Sequence, residues 1–115
     1  MDICITPKKL SGSIIPPPSK FMAHRLIISA ALSGGVSTLR NVAFSQDIEA
    51  TLRCMAAMGT GVEQVDESTL RIHGLGHSIP QSDFPGSLLH FDCGESGSTL
   101  RFLIPIALAV VGGGV

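Results

Sequence analysis

The sequence predicts one small domain of the α/β or α+β class. Three observations carry this. Short strand-like runs alternate with runs whose apolar residues recur at helical spacing. Pro, Gly and polar clusters punctuate the boundaries between them. Of 115 residues, 44% are hydrophobic and 15% charged, which supports a core and excludes a disordered chain. The order of the runs also excludes a helix bundle or a β-sandwich.

Asp2–Thr6 (DICIT) and Gly12–Ile15 (GSII) are expected strands, split by a turn with Pro7 and two lysines, and Pro16–Pro18 end the second. SKFMAHRLIISAALSGG then predicts a helix that buries Phe21, Met22, Leu26, Ile27, Ala30 and Ala31, with Gly34 and Gly35 as its C-terminal signal. Ser37–Val42 reads as a strand. Ser45–Gly59 reads as a second helix, with Ser45 as N-cap, Asp47 and Glu49 in the first turn and an apolar stripe of Ile48, Leu52, Met55 and Ala56. GVEQV and TLRIHG flank the turn Asp66-Glu67-Ser68 as a hairpin. Pro80–Gly86 is an expected loop, Leu88–Cys93 (LLHFDC) an expected strand, and the chain closes on a last helix.

Composition narrows the function. The formal net charge is -1, Trp and Tyr are absent and the eight Lys and Arg are scattered, so no basic stripe or stacking platform marks a nucleic-acid partner. Cys4, Cys54 and Cys93 are an odd set without C-x-x-C spacing, which points to reduced thiols in the cytoplasm rather than a disulfide framework or a zinc site. MDICITPKKL has an acid and no long apolar core, unlike a signal peptide. The apolar tail FLIPIALAVVGGGV has 14 residues, short of the ~20 that span a bilayer, so a buried helix is expected and no membrane. His24, His73, His77 and His90 are not clustered as metal ligands, so structural or exposed roles are expected and no metal site.

Two places share one design. In PPPSKFMAHR a proline-stiffened loop meets a helix N-terminus, with Ser19 and Lys20 at its start and Arg25 further in. Free N–H groups and the positive dipole end favour an anion there, and the cations add charge-assisted hydrogen bonds. In DCGESGSTLRFL, Gly94 and Gly97 let backbone approach a ligand, Ser96, Ser98 and Thr99 can cap a helix or donate hydroxyls, and Arg101 lies one turn in. Ser19 and Ser98 suit ordinary capping equally well, and the role of Glu95 stays open. GESGST lacks the spacing and lysine of a Walker loop, which leaves kinase or GTPase chemistry without support.

Taken together, PPSK with AHR, the helix DIEATLRCMAAMG and then CGESGSTLRFLIP resemble the N-terminal part of the 5-enolpyruvylshikimate-3-phosphate (EPSP) synthase family. The related UDP-N-acetylglucosamine enolpyruvyl transferases share the fold but have a lysine-asparagine motif and a reactive-cysteine loop not found here. The resemblance implies an inside-out α/β barrel of βαβαββ units, of which this chain holds about one plus the start of the next. It implies transfer of the enolpyruvyl group of phosphoenolpyruvate to the 5-hydroxyl of shikimate 3-phosphate in aromatic amino-acid (chorismate) biosynthesis. Phosphate leaves through addition and elimination, without metal or organic cofactor.

By the same resemblance Lys20 touches both substrates, and Phe21 and Arg25 stand at shikimate 3-phosphate. Gly97, Ser98 and Arg101 lie at phosphoenolpyruvate, and Asp47 is structural. Phe21 departs from the family, which has a serine there whose hydroxyl meets shikimate 3-phosphate. No catalytic acid or base is assigned within these residues. The family enzyme is longer, a two-domain monomer with its site in the cleft. Residues 1–115 are therefore expected to be a partial N-terminal region, inactive alone, with self-association left open. The rival expectations are a small anion-binding or fold-only module, and an RNA-processing protein with the same unit, which would want a basic face.

Overall fold

The computed structural model describes residues 1–76 and 89–110. The expected loop Pro80–Gly86, His77, Leu88 and the last five residues lie outside them. The order is α1 (Lys20–Leu32), β1 (Val36–Leu39), α2 (Gln46–Ala57), β2 (Gly61–Asp66), β3 (Thr69–His73) and α3 (Gly97–Val110). The described strands form an antiparallel sheet in the order β1-β3-β2. Between the two expected classes, α+β is the one seen.

The hairpin forms as its sequence predicts. Asp66 Oδ1 accepts from the Ser68 amide at 2.8 Å, which closes the turn. Val62 stands opposite Ile72 and Gln64 opposite Leu70, with a register shift between Gln64 and Asp66. The central strand β3 buries Leu70 and Ile72, while Arg71 reaches Glu63 across the outer face at 3.2 Å. The same core holds Ile27 and Ala31 of α1, Ile48, Cys54 and Met55 of α2, and Leu103 of α3.

Helix α2 starts where its signals place it. The Ser45 side chain accepts from the Ile48 amide, with Asp47 and Glu49 in the first turn. Its buried face is Ile48, Ala50, Thr51, Cys54 and Met55, so the stripe includes a threonine and leaves Ala56 exposed.

Helix α1 is rotated from its expected face. Ala23, His24, Ile27, Ile28, Ala30 and Ala31 are buried, whereas Phe21, Met22 and Leu26 are 62%, 54% and 46% exposed. Small alanines allow close approach, and His24 enters the interior because α2 offers it a hydroxyl. The helix ends on Ser33 in extended backbone rather than on a glycine. Its last carbonyls are taken by the chain after β3: Leu75 N–H donates to Ala31 O and Gly76 N–H to Ser33 O, each at 2.8 Å. A side chain at Gly74 would collide with the Ser33 carbonyl, so this crossing requires glycine.

Three expected strands are not formed. Asp2–Thr6 and Gly12–Ile15 are irregular and exposed, with Ile5 at 84% and Ile14 at 88%. Their alternation is real, but no described strand pairs with them, and an unpaired strand leaves its backbone polar groups to water. Residues 89–93 are irregular too. Their polar groups go to a turn instead of a ladder: Asp92 Oδ1 accepts from Gly94 N–H at 3.0 Å, and Cys93 O accepts from Ser96 N–H at 3.0 Å.

Candidate functional site

The first loop ends as a capped helix. Ser19 has extended backbone and its Oγ accepts from the Met22 amide at 3.3 Å. Lys20 is the first residue of α1, and its Nζ lies 2.7 Å from Asp47 Oδ2 on the first turn of α2. That hydrogen bond is the main reason the Asp47 carboxyl is held below its ordinary range. The Lys20 ammonium also stands 5.9 Å from the Phe21 ring centroid, within cation–π reach. Arg25 donates to Phe21 O at 3.1 Å and lies 5.6 Å from the Phe102 ring on α3.

The second loop turns at Gly94, whose φ of +53° is the left-handed region that glycine tolerates. Ser96, not Ser98, caps α3: its Oγ accepts from the Thr99 amide at 3.2 Å. Gly97 opens the helix. Among the described residues a methyl built on it would meet only Arg101 Nη2, at 3.8 Å, an ordinary contact, so these residues leave room there. The same distance shows the Arg101 guanidinium folded back over the first turn, while Ser98 is half-buried. Glu95 is exposed.

A buried hydroxyl chain joins the two loops. His24 Nδ1 is 2.8 Å from Thr51 Oγ1, Thr51 Oγ1 is 2.8 Å from Thr99 Oγ1, and Thr99 Oγ1 is 2.6 Å from Ser96 Oγ. Thr99 Oγ1 also donates to Asp47 O at 3.3 Å. His24, Thr51 and Thr99 are at most 1% exposed. Burial, the leading cause, holds the His24 pKa below 6.5, with Lys20 and Arg25 acting in the same direction and Asp47 against them. His24 is therefore a neutral structural imidazole at neutral pH, and its Nε2 is buried with no hydrogen-bond partner among the described residues. Sequence reading missed Thr51 and Thr99 as members of one network. Their signal is a threonine on each apolar stripe, Thr51 three residues from Ile48 and Thr99 four from Leu103.

The structure thus brings Lys20, Asp47, Thr99 and Ser96 to one junction of α1, α2 and α3, with Arg25 beside α3 and Arg101 over its first turn. Phe21 stands outside the network, exposed under the ammonium. A cleft of about 230 Å³ beside the junction is lined by Asp47, Arg53, Gly94, Glu95 and Ser96 among others. Among the described residues no three His, Cys, Asp or Glu gather around a possible metal position, and no helix is long and apolar enough to cross a membrane.

Fold and site define an α+β unit in which two cation-flanked helix N-termini are tied together from inside. A sequence profile of the family described as EPSP synthase (3-phosphoshikimate 1-carboxyvinyltransferase) matches residues 5–114. The chain is 47% identical over 115 residues to a 3-phosphoshikimate 1-carboxyvinyltransferase of Clostridium novyi (strain NT), covering 93% of this chain and 25% of that one. It is 46% identical over 112 residues to the protein of that name from Clostridioides difficile (strain 630), covering 94% and 25%. The solved EPSP synthase from Acinetobacter baumannii superposes with a TM-score of 0.64 at 30% identity, over 80% of this chain and 20% of that one. The chain belongs to the EPSP synthase family. It spans about a quarter of the length of the curated relatives it matches.

Proposed function

We infer that this chain contributes the Lys20–Arg25 and Gly97–Arg101 walls of a site that transfers the enolpyruvyl group of phosphoenolpyruvate to shikimate 3-phosphate. The observation that carries the reading is the His24–Thr51–Thr99–Ser96 chain, which fixes one helix N-terminus against the other. Both substrates and the tetrahedral intermediate between them concentrate negative charge. Donors and cations set in place beforehand stabilise such charge without reorganising during the reaction.

In this reading Lys20, with Asp47 holding its ammonium at the head of α1, meets both substrates. Arg25 pairs with the phosphate of shikimate 3-phosphate, and Gly97, Ser98 and Arg101 receive phosphoenolpyruvate at the start of α3. Gly97 fits this role because its open side lets a ligand approach the backbone. The acid–base groups, and the βαβαββ barrel that would place them, belong to the longer family fold. The chain by itself is proposed to bind without turnover.

The test is an amide NMR titration with shikimate 3-phosphate. Saturable shifts confined to Lys20–Arg25 and Gly97–Arg101 are expected. Shifts absent at saturating concentration, or scattered over the exposed N-terminal residues, would favour a fold-only module. Phe21→Ser restores a hydroxyl at the shikimate 3-phosphate wall and is expected to tighten binding about tenfold, the worth of one hydrogen bond to a charged group. Normal phosphate release by the purified chain with both substrates would refute the claim that it binds without turnover.

A further inference from the structure

Two thiols with no part in the proposed anion site face each other behind its second loop. Cys54 on α2 is fully buried, Cys93 in the loop before α3 is half-buried, and their sulfurs are 4.0 Å apart. The backbone here is already tied to α2. Cys54 S–H donates to Asp92 O at 3.4 Å, and Arg53 Nε lies 3.5 Å from Asp92 Oδ2. A disulfide requires sulfurs at ~2.05 Å. The remaining gap is of the order that side-chain rotation closes.

We propose that Cys54 and Cys93 form a reversible oxidation site, whose disulfide fastens the Asp92–Gly94 loop to α2. The oxidant is hydrogen peroxide. Cys93, the more accessible sulfur, attacks one peroxide oxygen; the O–O bond breaks, water leaves with the thiol proton, and Cys93 becomes a sulfenic acid. The Cys54 sulfur then attacks the Cys93 sulfur. The S–O bond breaks and the departing hydroxide takes the Cys54 proton as a second water. Two thiols have lost two electrons and two protons, and hydrogen peroxide has become two waters.

The order of events follows from the surroundings. Burial first, and then the neighbouring Cys93, push the Cys54 thiol up to about 12, so it meets the oxidant protonated and enclosed. Cys54 acts as the resolving partner. The bond would close a loop between residues 39 apart in sequence and hold Gly94–Ser96, the approach to the α3 N-terminus, against α2. That oxidation alters anion binding rests on the proposed function above; the disulfide itself does not.

The experiment uses the full chain with Cys4→Ser, which removes the exposed third thiol. After one equivalent of hydrogen peroxide and alkylation, the intact monomer should have lost two hydrogen atoms. A non-reducing tryptic digest should link Cys54–Arg71 to Ile72–Arg101, and dithiothreitol should reverse both. Hydrogen exchange at Gly94 and Ser96 should slow on oxidation. Cys93→Ser should leave Cys54 reduced. Cys54 recovered as a free thiol beside a sulfinic Cys93, or joined only between molecules, overturns the proposal. Shikimate 3-phosphate titrations of both forms then test the coupling. Equal affinities refute it, and absence of binding by either form counts against the proposed function while the mass spectrum still decides the disulfide.

Discussion

Replacing Thr99 with valine removes one hydroxyl from the centre of the buried chain and keeps the shape of the side chain. In the structure that oxygen meets Thr51 Oγ1 at 2.8 Å, Ser96 Oγ at 2.6 Å and Asp47 O at 3.3 Å. Thr51 would keep His24, and Ser96 would keep the residue-99 amide, so neither is wholly orphaned. The loss is two short buried hydrogen bonds and one longer, part-buried one. At ~1 kcal/mol net per bond, with a desolvation cost of ~1–3 kcal/mol for a buried group left short of a partner, Thr99→Val should cost about 2–4 kcal/mol. Thr99→Ser keeps the hydroxyl and loses a methyl, which costs about 1 kcal/mol. Urea unfolding followed by circular dichroism at pH 7.5 measures both. The valine variant should be the less stable by at least ~1 kcal/mol. Equal stability, or a serine variant less stable than the valine one, would refute the claim that the hydroxyl chain holds the helices together.

Further outcomes follow from the same structure. The folded pKa of His24 is depressed below 6.5, chiefly by burial, so its contribution is fully present above pH 6.5 and is lost as pH falls toward the folded value; His24→Gln should flatten the urea midpoint between pH 7.5 and 5.5. The Asp47 carboxyl is depressed below 3.8, first by Lys20, so the pair is intact above that pH and is lost as pH falls through the folded value; carboxyl NMR should show its midpoint rise in Lys20→Met. Gly74→Ala drives a methyl into the Ser33 carbonyl and should lower stability by ~1–3 kcal/mol, measured by thermal melting. Gly97→Ala should leave the melting temperature near that of the parent, because among the described residues its methyl meets only the end of Arg101, yet weaken phosphoenolpyruvate binding.

How much of this was legible in sequence depended on whether the signal was local. Ser45 with Asp47 and Glu49 marked the start of α2, and Asp66-Glu67-Ser68 marked the hairpin turn, because caps and turns are built from neighbours in sequence. Asp2–Thr6 and Gly12–Ile15 carried an equally clear alternation, but a strand exists only with a partner, and alternation says nothing of where one lies. The face of α1 was misread for a related reason. Counting apolar residues favoured Phe21 and Met22, while the helix turned inward the imidazole that Thr51 could satisfy. The two loops proposed to hold anions stood out in their residues as helix starts, but their connection did not. His24 meets Thr51 across 27 positions, and Thr51 meets Thr99 across 48, a meeting that only the packed fold creates.

The most direct test of the central claim is calorimetric titration of the purified chain with shikimate 3-phosphate, beside Lys20→Ala and Arg25→Ala. The account predicts one saturable site in the parent chain, weakened about tenfold or more in each variant as a charge-assisted hydrogen bond is lost, with circular dichroism unchanged. Equal affinity in all three proteins, or no saturable binding by the parent, would contradict it.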